Sequence, residues 1–92
     1  MTDLEKARVL INEVDSEMAR LFEKRMDAVR SVADYKKKNG LPIDDLSREE
    51  EIIKRNADLI SSEEYRSYYI DFMKKVINLS KDMQHRLIDG EM

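Results

Sequence analysis

The residues best suited to chemistry in this 92-residue chain are cations and neutral hydrogen-bond donors. Arg25 interrupts an apolar pattern that otherwise recurs every three or four residues from Leu4 to Tyr35. A cation on the apolar side of a long helix is costly unless an anion meets it there. Arg48 is a second anomaly, because it lies near the start of a predicted helix, where the helix dipole disfavours cations. The sequence leaves open whether the anion at Arg25 is a side chain or a ligand.

Helix geometry indicates which other polar residues accompany Arg25. Lys36 lies about 20° around the helix from Arg25 and about 16 Å along it, so the two cations share a face. Ser80 and Gln84, one turn apart, interrupt a second apolar stripe near the end of the chain. Arg8 lies about 25 Å from Arg25 along the helix, so it reaches a similar pocket only from a second chain.

This set of residues limits the chemistry. It contains no nucleophile paired with a base and no metal-binding cluster, so it is poorly suited to proton transfer or covalent catalysis. Arginine and lysine side chains with neutral donors bind small polyanions through charge-assisted hydrogen bonds. The residue types therefore predict a site for a small anionic ligand.

Apolar periodicity predicts three helices and no strand, which indicates one all-α domain over residues 1–92. The predicted elements are a first helix over about 3–39, a loop over 40–46, a second helix over about 48–60 and a third helix over about 63–88. Three lysines, Gly40 and Pro42 mark the end of the first helix. Ser47 with Glu50 predicts a capping box for the second helix, and the run 61–64 predicts another for the third.

The first helix is too long for this chain to cover alone. Its 37 predicted residues span roughly 55 Å, whereas a compact chain of this size has a radius of gyration of about 12 Å. Its apolar side therefore needs a partner, most simply a second copy of the chain.

The composition supports a globular helical protein. Hydrophobic residues make up 41% of the chain and charged residues 40%, without cysteine, and the apolar residues are periodic. No apolar run approaches 18 residues and the N-terminus is charged from its third residue, so we expect a cytoplasmic protein without membrane segments. The net charge of −3 argues against a nucleic-acid partner.

The order and spacing of these residues resemble those of the all-α chorismate mutases. The resemblance rests on Arg8, Arg25, Lys36, the stretch from Pro42 to Glu49, Ser80 and Gln84. It covers nearly the whole chain. Six of the eight matching functional positions are also singled out by the arguments above, whereas Asp45 and Glu49 enter only through the resemblance.

The resemblance implies a fold and an activity. The fold is an intertwined, domain-swapped homodimer of three-helix chains with two active sites, each of which borrows one arginine from the other subunit. The activity is the Claisen rearrangement of chorismate to prephenate, on the way to phenylalanine and tyrosine, without a cofactor.

The resemblance also implies residue roles at the substrate's two carboxylates. Arg25 and Arg48 would hold them together with Arg8 from the other chain. Ser80 would contribute a hydroxyl to one of them.

Further roles concern the ether oxygen and the ring hydroxyl of the substrate. Lys36 and Gln84 would donate hydrogen bonds to the ether oxygen, and Glu49 and the backbone of Asp45 would accept or orient the hydroxyl. Lys81 departs from the family pattern, because an apolar residue is expected beside Ser80. Its side chain either points outward or adds positive potential to the site.

Two other functions compete with this interpretation. Isochorismate pyruvate lyases share the fold, the arginines and the lysine, but their substrate carries its hydroxyl elsewhere. The lyase family lacks equivalents of Asp45 and Glu49, so the presence of these two residues in this chain favours the mutase. A helical dimerisation module, in which the polar residues set the register of two chains, is the non-enzymatic alternative.

Overall fold

A computed structural model describes residues 1–90 and shows three α-helices. Helix α1 is Asp3–Asn39, α2 is Leu46–Ala57 and α3 is Glu63–Asp89. The three-helix, all-α prediction is confirmed, and residues 1–90 contain no strand. The last two residues of the predicted domain, 91 and 92, lie outside the described residues.

Helix α1 is capped at both ends. The Glu5 backbone N–H donates to Thr2 Oγ1 and the Thr2 N–H donates to Glu5 Oε1, each over 3.1 Å. The hydrogen bond that the carboxylate accepts from the Thr2 backbone lowers the pKa of Glu5, and the Thr2 side chain adds to the effect. At the other end Gly40 adopts a left-handed conformation with φ 61°, and its N–H bonds to the Lys36 carbonyl. The range of α1 agrees with the one predicted from the sequence.

The predicted cap of α2 is wrong. The Asp45 carboxylate, and not the Ser47 hydroxyl, accepts the Arg48 N–H, over 3.1 Å. Ser47 instead lies in the first turn, where its hydroxyl donates to Asp45 Oδ1 over 3.5 Å. A charged carboxylate caps as well as serine and also suits the positive end of the helix dipole, so α2 begins at Leu46, two residues before the predicted start.

The ends of the second and third predicted helices also shift. Helix α2 ends at Ala57, three residues early, and Leu59 is 78% exposed just beyond it. The cap of α3 is Ser62, whose hydroxyl accepts the Tyr65 N–H over 3.3 Å. A capping box needs a glutamate or glutamine three residues after the cap, and that residue is Tyr65, so no capping box forms. Helix α3 ends at Asp89, one residue beyond the prediction.

Paired substitutions test the corrected cap of α2. We expect Asp45→Ala to lower the free energy of unfolding by about 1 kcal/mol, the usual loss for a helix cap. Ser47→Ala should change it by less than about 0.5 kcal/mol, because Ser47 caps nothing. Chemical denaturation of both variants at one protein concentration measures the difference. If Ser47→Ala lowered the free energy of unfolding more than Asp45→Ala, Ser47 would be the cap after all.

The packing of the chain centres on α3, which contacts both other helices. Its buried core residues are Met73, Val76 and Ile77, and around them lie Ile52, Ile53 and Tyr69. Only the second half of α1 takes part, since residues 1–24 are all exposed and partial burial begins at Arg25. The chain is elongated, with extents of 55 × 27 × 15 Å and a radius of gyration of 16.5 Å. No helix within residues 1–90 has the length and apolar character needed to cross a membrane.

Candidate active site

A cavity of about 300 Å³ lies where the second half of α1, the start of α2 and the end of α3 meet. Its polar lining includes seven of the eight predicted site residues: Arg25, Lys36, Asp45, Arg48, Glu49, Ser80 and Gln84. Its apolar wall consists of Ala28, Val29, Val32, Ile43, Ile52 and Ile77. The eighth predicted residue, Arg8, is exposed on α1 and lies about 25 Å from Arg25 along the helix.

Arg25 is held in the cavity by Ser80. Arg25 Nη1 donates to Ser80 Oγ over 2.5 Å, and the Ser80 hydroxyl donates to the Val76 carbonyl over 2.9 Å. Ser80 is only 4% exposed, so the position of its oxygen is set by α3. The hydroxyl proton is already engaged, and Ser80 therefore orients Arg25 in this arrangement. A direct bond from Ser80 to a ligand carboxylate requires the bond to Val76 to break.

Gln84 lies one turn beyond Ser80 and is buried, with 7% of its surface exposed. Its Oε1 atom has no hydrogen-bond partner among residues 1–90. Buried polar atoms are almost always paired, because an unpaired one costs about 1–3 kcal/mol. The amide lies on the wall of the cavity, so this oxygen can accept a hydrogen bond from a ligand, and the NH₂ group of the same amide can donate one.

Lys36 connects α1 with the loop that precedes α2. Its Nζ donates to the Ile43 carbonyl over 2.8 Å. An ammonium group has three donors, so this bond leaves two for a ligand in the cavity. The contact explains how a lysine at the helix end is turned into the site, although Lys37 and Lys38 beside it are exposed.

Arg48 has two sets of neighbours. It lines the cavity, and its Nη1 also lies 3.3 Å from Glu51 Oε1 on the same helix. Both side chains are more than half exposed, so this ion pair is weak and leaves Arg48 available to an anionic ligand. Asp45, which caps α2, lines the cavity beside it.

Lys81 points into the site and forms the ion pairs that the sequence did not predict. Its Nζ lies 3.3 Å from Glu49 Oε1 and 3.5 Å from Asp44 Oδ1. The hydrogen bond to Glu49 raises the pKa of Lys81 above its ordinary value, and the charges of both carboxylates add to the effect against the opposing desolvation. Lys81 is therefore a cation at neutral pH.

The cavity suits a dianion. Arg25, Lys36, Arg48 and Lys81 bring four positive charges to it, against Asp45 and Glu49. Within residues 1–90, no group of three or more histidine, aspartate or glutamate side chains is arranged to hold a metal ion.

The sequence of the chain matches the model of a known family. A family model described as "Chorismate mutase type II" matches residues 7–85. The chain belongs to this family. Comparisons with curated proteins and with solved structures found no match.

The range of the chorismate mutase match can be compared with the positions of the predicted site residues. The matched range contains both Arg8 and Gln84, the first and last of the eight predicted residues. The whole matched range lies within the described residues.

Some lining residues were missed by sequence reasoning. Val29 and Ile77 lie on the cavity wall, yet in the sequence they differ in nothing from other apolar helix residues. Ile43 accepts a hydrogen bond from Lys36 through its backbone carbonyl. Every residue has this group, so the residue type does not predict the contact. Only Lys81 gave a signal, because the family pattern leads one to expect an apolar residue beside Ser80.

Proposed function

We propose that the protein is a chorismate mutase that rearranges chorismate to prephenate in phenylalanine and tyrosine biosynthesis, with the cytoplasm as its expected location. The cavity carries this proposal. Arg25, Lys36 and Arg48 converge there on a space of about 300 Å³ that Gln84 also lines, and its amide NH₂ group is a hydrogen-bond donor. Chorismate is a small dicarboxylate with an ether oxygen, and these groups complement the cations and the amide.

The requirements of the rearrangement match the residues that line this cavity. The reaction is unimolecular and pericyclic, so it proceeds without a base or a nucleophile. It requires the flexible enolpyruvyl side chain to be held in a chair over the ring, which is an orientation effect. The apolar wall formed by residues such as Val29, Ile52 and Ile77 packs against the ring, while Arg25 and Arg48 hold the carboxylates.

Lys36 and Gln84 act at the ether oxygen. Negative charge develops there as the C–O bond breaks, and preorganised donors in a desolvated site stabilise it. A million-fold acceleration requires about 8 kcal/mol. One such donor contributes about 3–4 kcal/mol, so two donors together with conformational restraint account for the total. Glu49 and the backbone of Asp45 orient the ring hydroxyl.

A second copy of the chain completes the proposed enzyme. Large apolar residues are exposed along the first half of α1: Leu4, Val9, Leu10, Ile11, Val14, Met18, Leu21 and Phe22. A surface of this length is unusual for a monomer in water. Pairing it with a second chain buries these residues and carries Arg8 towards the cavity of the other subunit. The intertwined homodimer, with Arg8 shared between subunits, is therefore part of the proposal.

Product analysis after incubation with chorismate tests the activity. We expect chorismate absorbance to fall much faster than the uncatalysed decay, with prephenate as the product. A bicyclic transition-state mimic should raise the melting temperature, because it binds only the folded dimer.

The other outcomes of this test are informative. Conversion of isochorismate to pyruvate and salicylate, without prephenate from chorismate, would identify a lyase. A stable dimer that neither consumes chorismate nor binds the mimic would support the dimerisation module. Arg25→Ala should abolish mimic binding, whereas in a dimerisation module it would only change the stability of the dimer.

A further inference from the structure

Lys81 is a cation at the end of the cavity that Glu49 occupies. We propose that Lys81 is a positioning residue, which holds Glu49 ready to accept the ring hydroxyl of the substrate and keeps it away from the substrate-binding cations. The inference rests on the proposed function, since it assigns a purpose to the hydroxyl-binding end of that site.

The ion pair connects separate elements of the fold. Lys81 lies on α3, Glu49 in the first turn of α2 and Asp44 in the loop before it. The distances from Nζ are 3.3 Å to Glu49 Oε1 and 3.5 Å to Asp44 Oδ1. The Lys81 and Glu49 side chains are 23% and 20% exposed, so their pairing is only partly screened by water. The Asp44 side chain is 60% exposed and is the weaker partner.

Glu49 needs such a partner because of the other charges around it. It lines the same cavity as Arg25, Lys36 and Arg48. An ionised carboxylate that is mostly removed from water pairs with a cation within reach. If Glu49 paired with one of these three, it would occupy a charge that the substrate carboxylates require, and it would leave the hydroxyl without an acceptor.

The ion pair with Lys81 uses one oxygen of the Glu49 carboxylate and leaves the other free to accept a hydrogen bond. Lys81 lies within hydrogen-bond distance of Oε1, and an ionised carboxylate accepts at both oxygens, so Oε2 remains for the ring hydroxyl. Lys81 is protonated at neutral pH, as its raised pKa indicates, so the bridge persists in the working range of the enzyme.

Two substrates separate this role from a structural one. We compare chorismate with the analogue in which hydrogen replaces the ring hydroxyl, using the ratio of their kcat/KM values. In Lys81→Met, which keeps the length of the side chain and loses the charge, we expect the preference for chorismate to fall about tenfold. This is the size expected for a charged hydrogen bond that is lost or misaligned. Lys81→Arg should retain most of the preference.

Lys75→Met is the matched control, because Lys75 is exposed on the same helix. It should leave the ratio unchanged. If Lys81→Met lowers kcat/KM equally for both substrates, Lys81 only stabilises the fold and the inference is overturned. An unchanged kcat/KM for both would overturn it too. Failure of the proposed function is distinguishable, because the wild-type protein would then not rearrange chorismate at all.

Discussion

Mixing chains that carry Arg8→Ala with chains that carry Arg25→Ala should restore about a quarter of wild-type activity, although each variant alone is nearly inactive. The expectation follows from the position of Arg8. It lies about 25 Å along α1 from Arg25, too far to serve the same cavity within one chain. If the partner subunit supplies it, each active site needs Arg8 from one chain and Arg25 from the other.

The expected activity follows from counting intact sites. Random pairing makes about half of the dimers mixed. One of the two sites in a mixed dimer then has both arginines and the other has neither. Each variant alone should lose about 10²- to 10³-fold in kcat/KM, because removing one partner of a desolvated charge pair costs 2–5 kcal/mol. The activity of the mixture should therefore be far higher than the activity of either variant alone.

A second mixture provides the control. Arg25 and Arg48 line the same cavity of one chain, so mixing Arg25→Ala with Arg48→Ala leaves every site defective and should restore nothing. Mixed dimers are verified with two affinity tags. If the Arg8 and Arg25 variants form mixed dimers without regaining activity, the shared site is refuted. Equal recovery in both mixtures would point to contamination with wild-type protein.

The sequence predicted the number of helices and the limits of α1, because those signals are local. Three lysines, a glycine and a proline end α1 wherever the rest of the chain lies. The start of α2 was mispredicted, because Asp45 and Ser47 are both good caps and the sequence offers no means of ranking them. The structure chooses Asp45, whose carboxylate accepts the Arg48 N–H.

The buried faces were harder to predict than the helices. The stripe from Leu4 to Tyr35 is apolar, yet within one chain α1 turns a neighbouring face to α3, where Val29 is half-buried and Ala33 buried. Periodicity measures how apolar a face is and does not say which partner covers it. Phe72 on α3 is likewise 51% exposed although it is a large apolar residue.

The site was predictable where residue types are unusual for their positions. Arg25 and Gln84 are polar residues on apolar stripes, and both line the cavity. The orientation of Lys81 was not predictable, because a lysine on a helix has several rotamers and only the tertiary neighbours, Glu49 and Asp44, select one. The apolar wall of the cavity was not predictable, since the same apolar residue types occur in the core and on the cavity wall.

Gln84→Glu should confine activity to acidic pH. The amide donates a hydrogen bond at any ordinary pH, whereas a carboxyl group donates only when it is protonated. In its ionised form the new side chain has no proton to offer, and it repels the negative charge that develops on the ether oxygen. Activity of the variant therefore rises as the pH falls through the pKa of the introduced acid. We expect kcat/KM about 10³-fold below wild type near pH 8, and recovery towards wild type near pH 5.

Gln84→Met separates loss of the donor from any effect of the new charge. It has similar length and no donor, so it should remain about 10²- to 10³-fold less active than wild type at every pH. Position 84 is buried, so thermal unfolding of each variant is measured at the same pH values to exclude loss of the folded dimer. Full activity of Gln84→Glu near pH 8 would remove Gln84 from the ether oxygen. The buried amide would then have another role, and Lys36 alone would have to stabilise the negative charge on the ether oxygen.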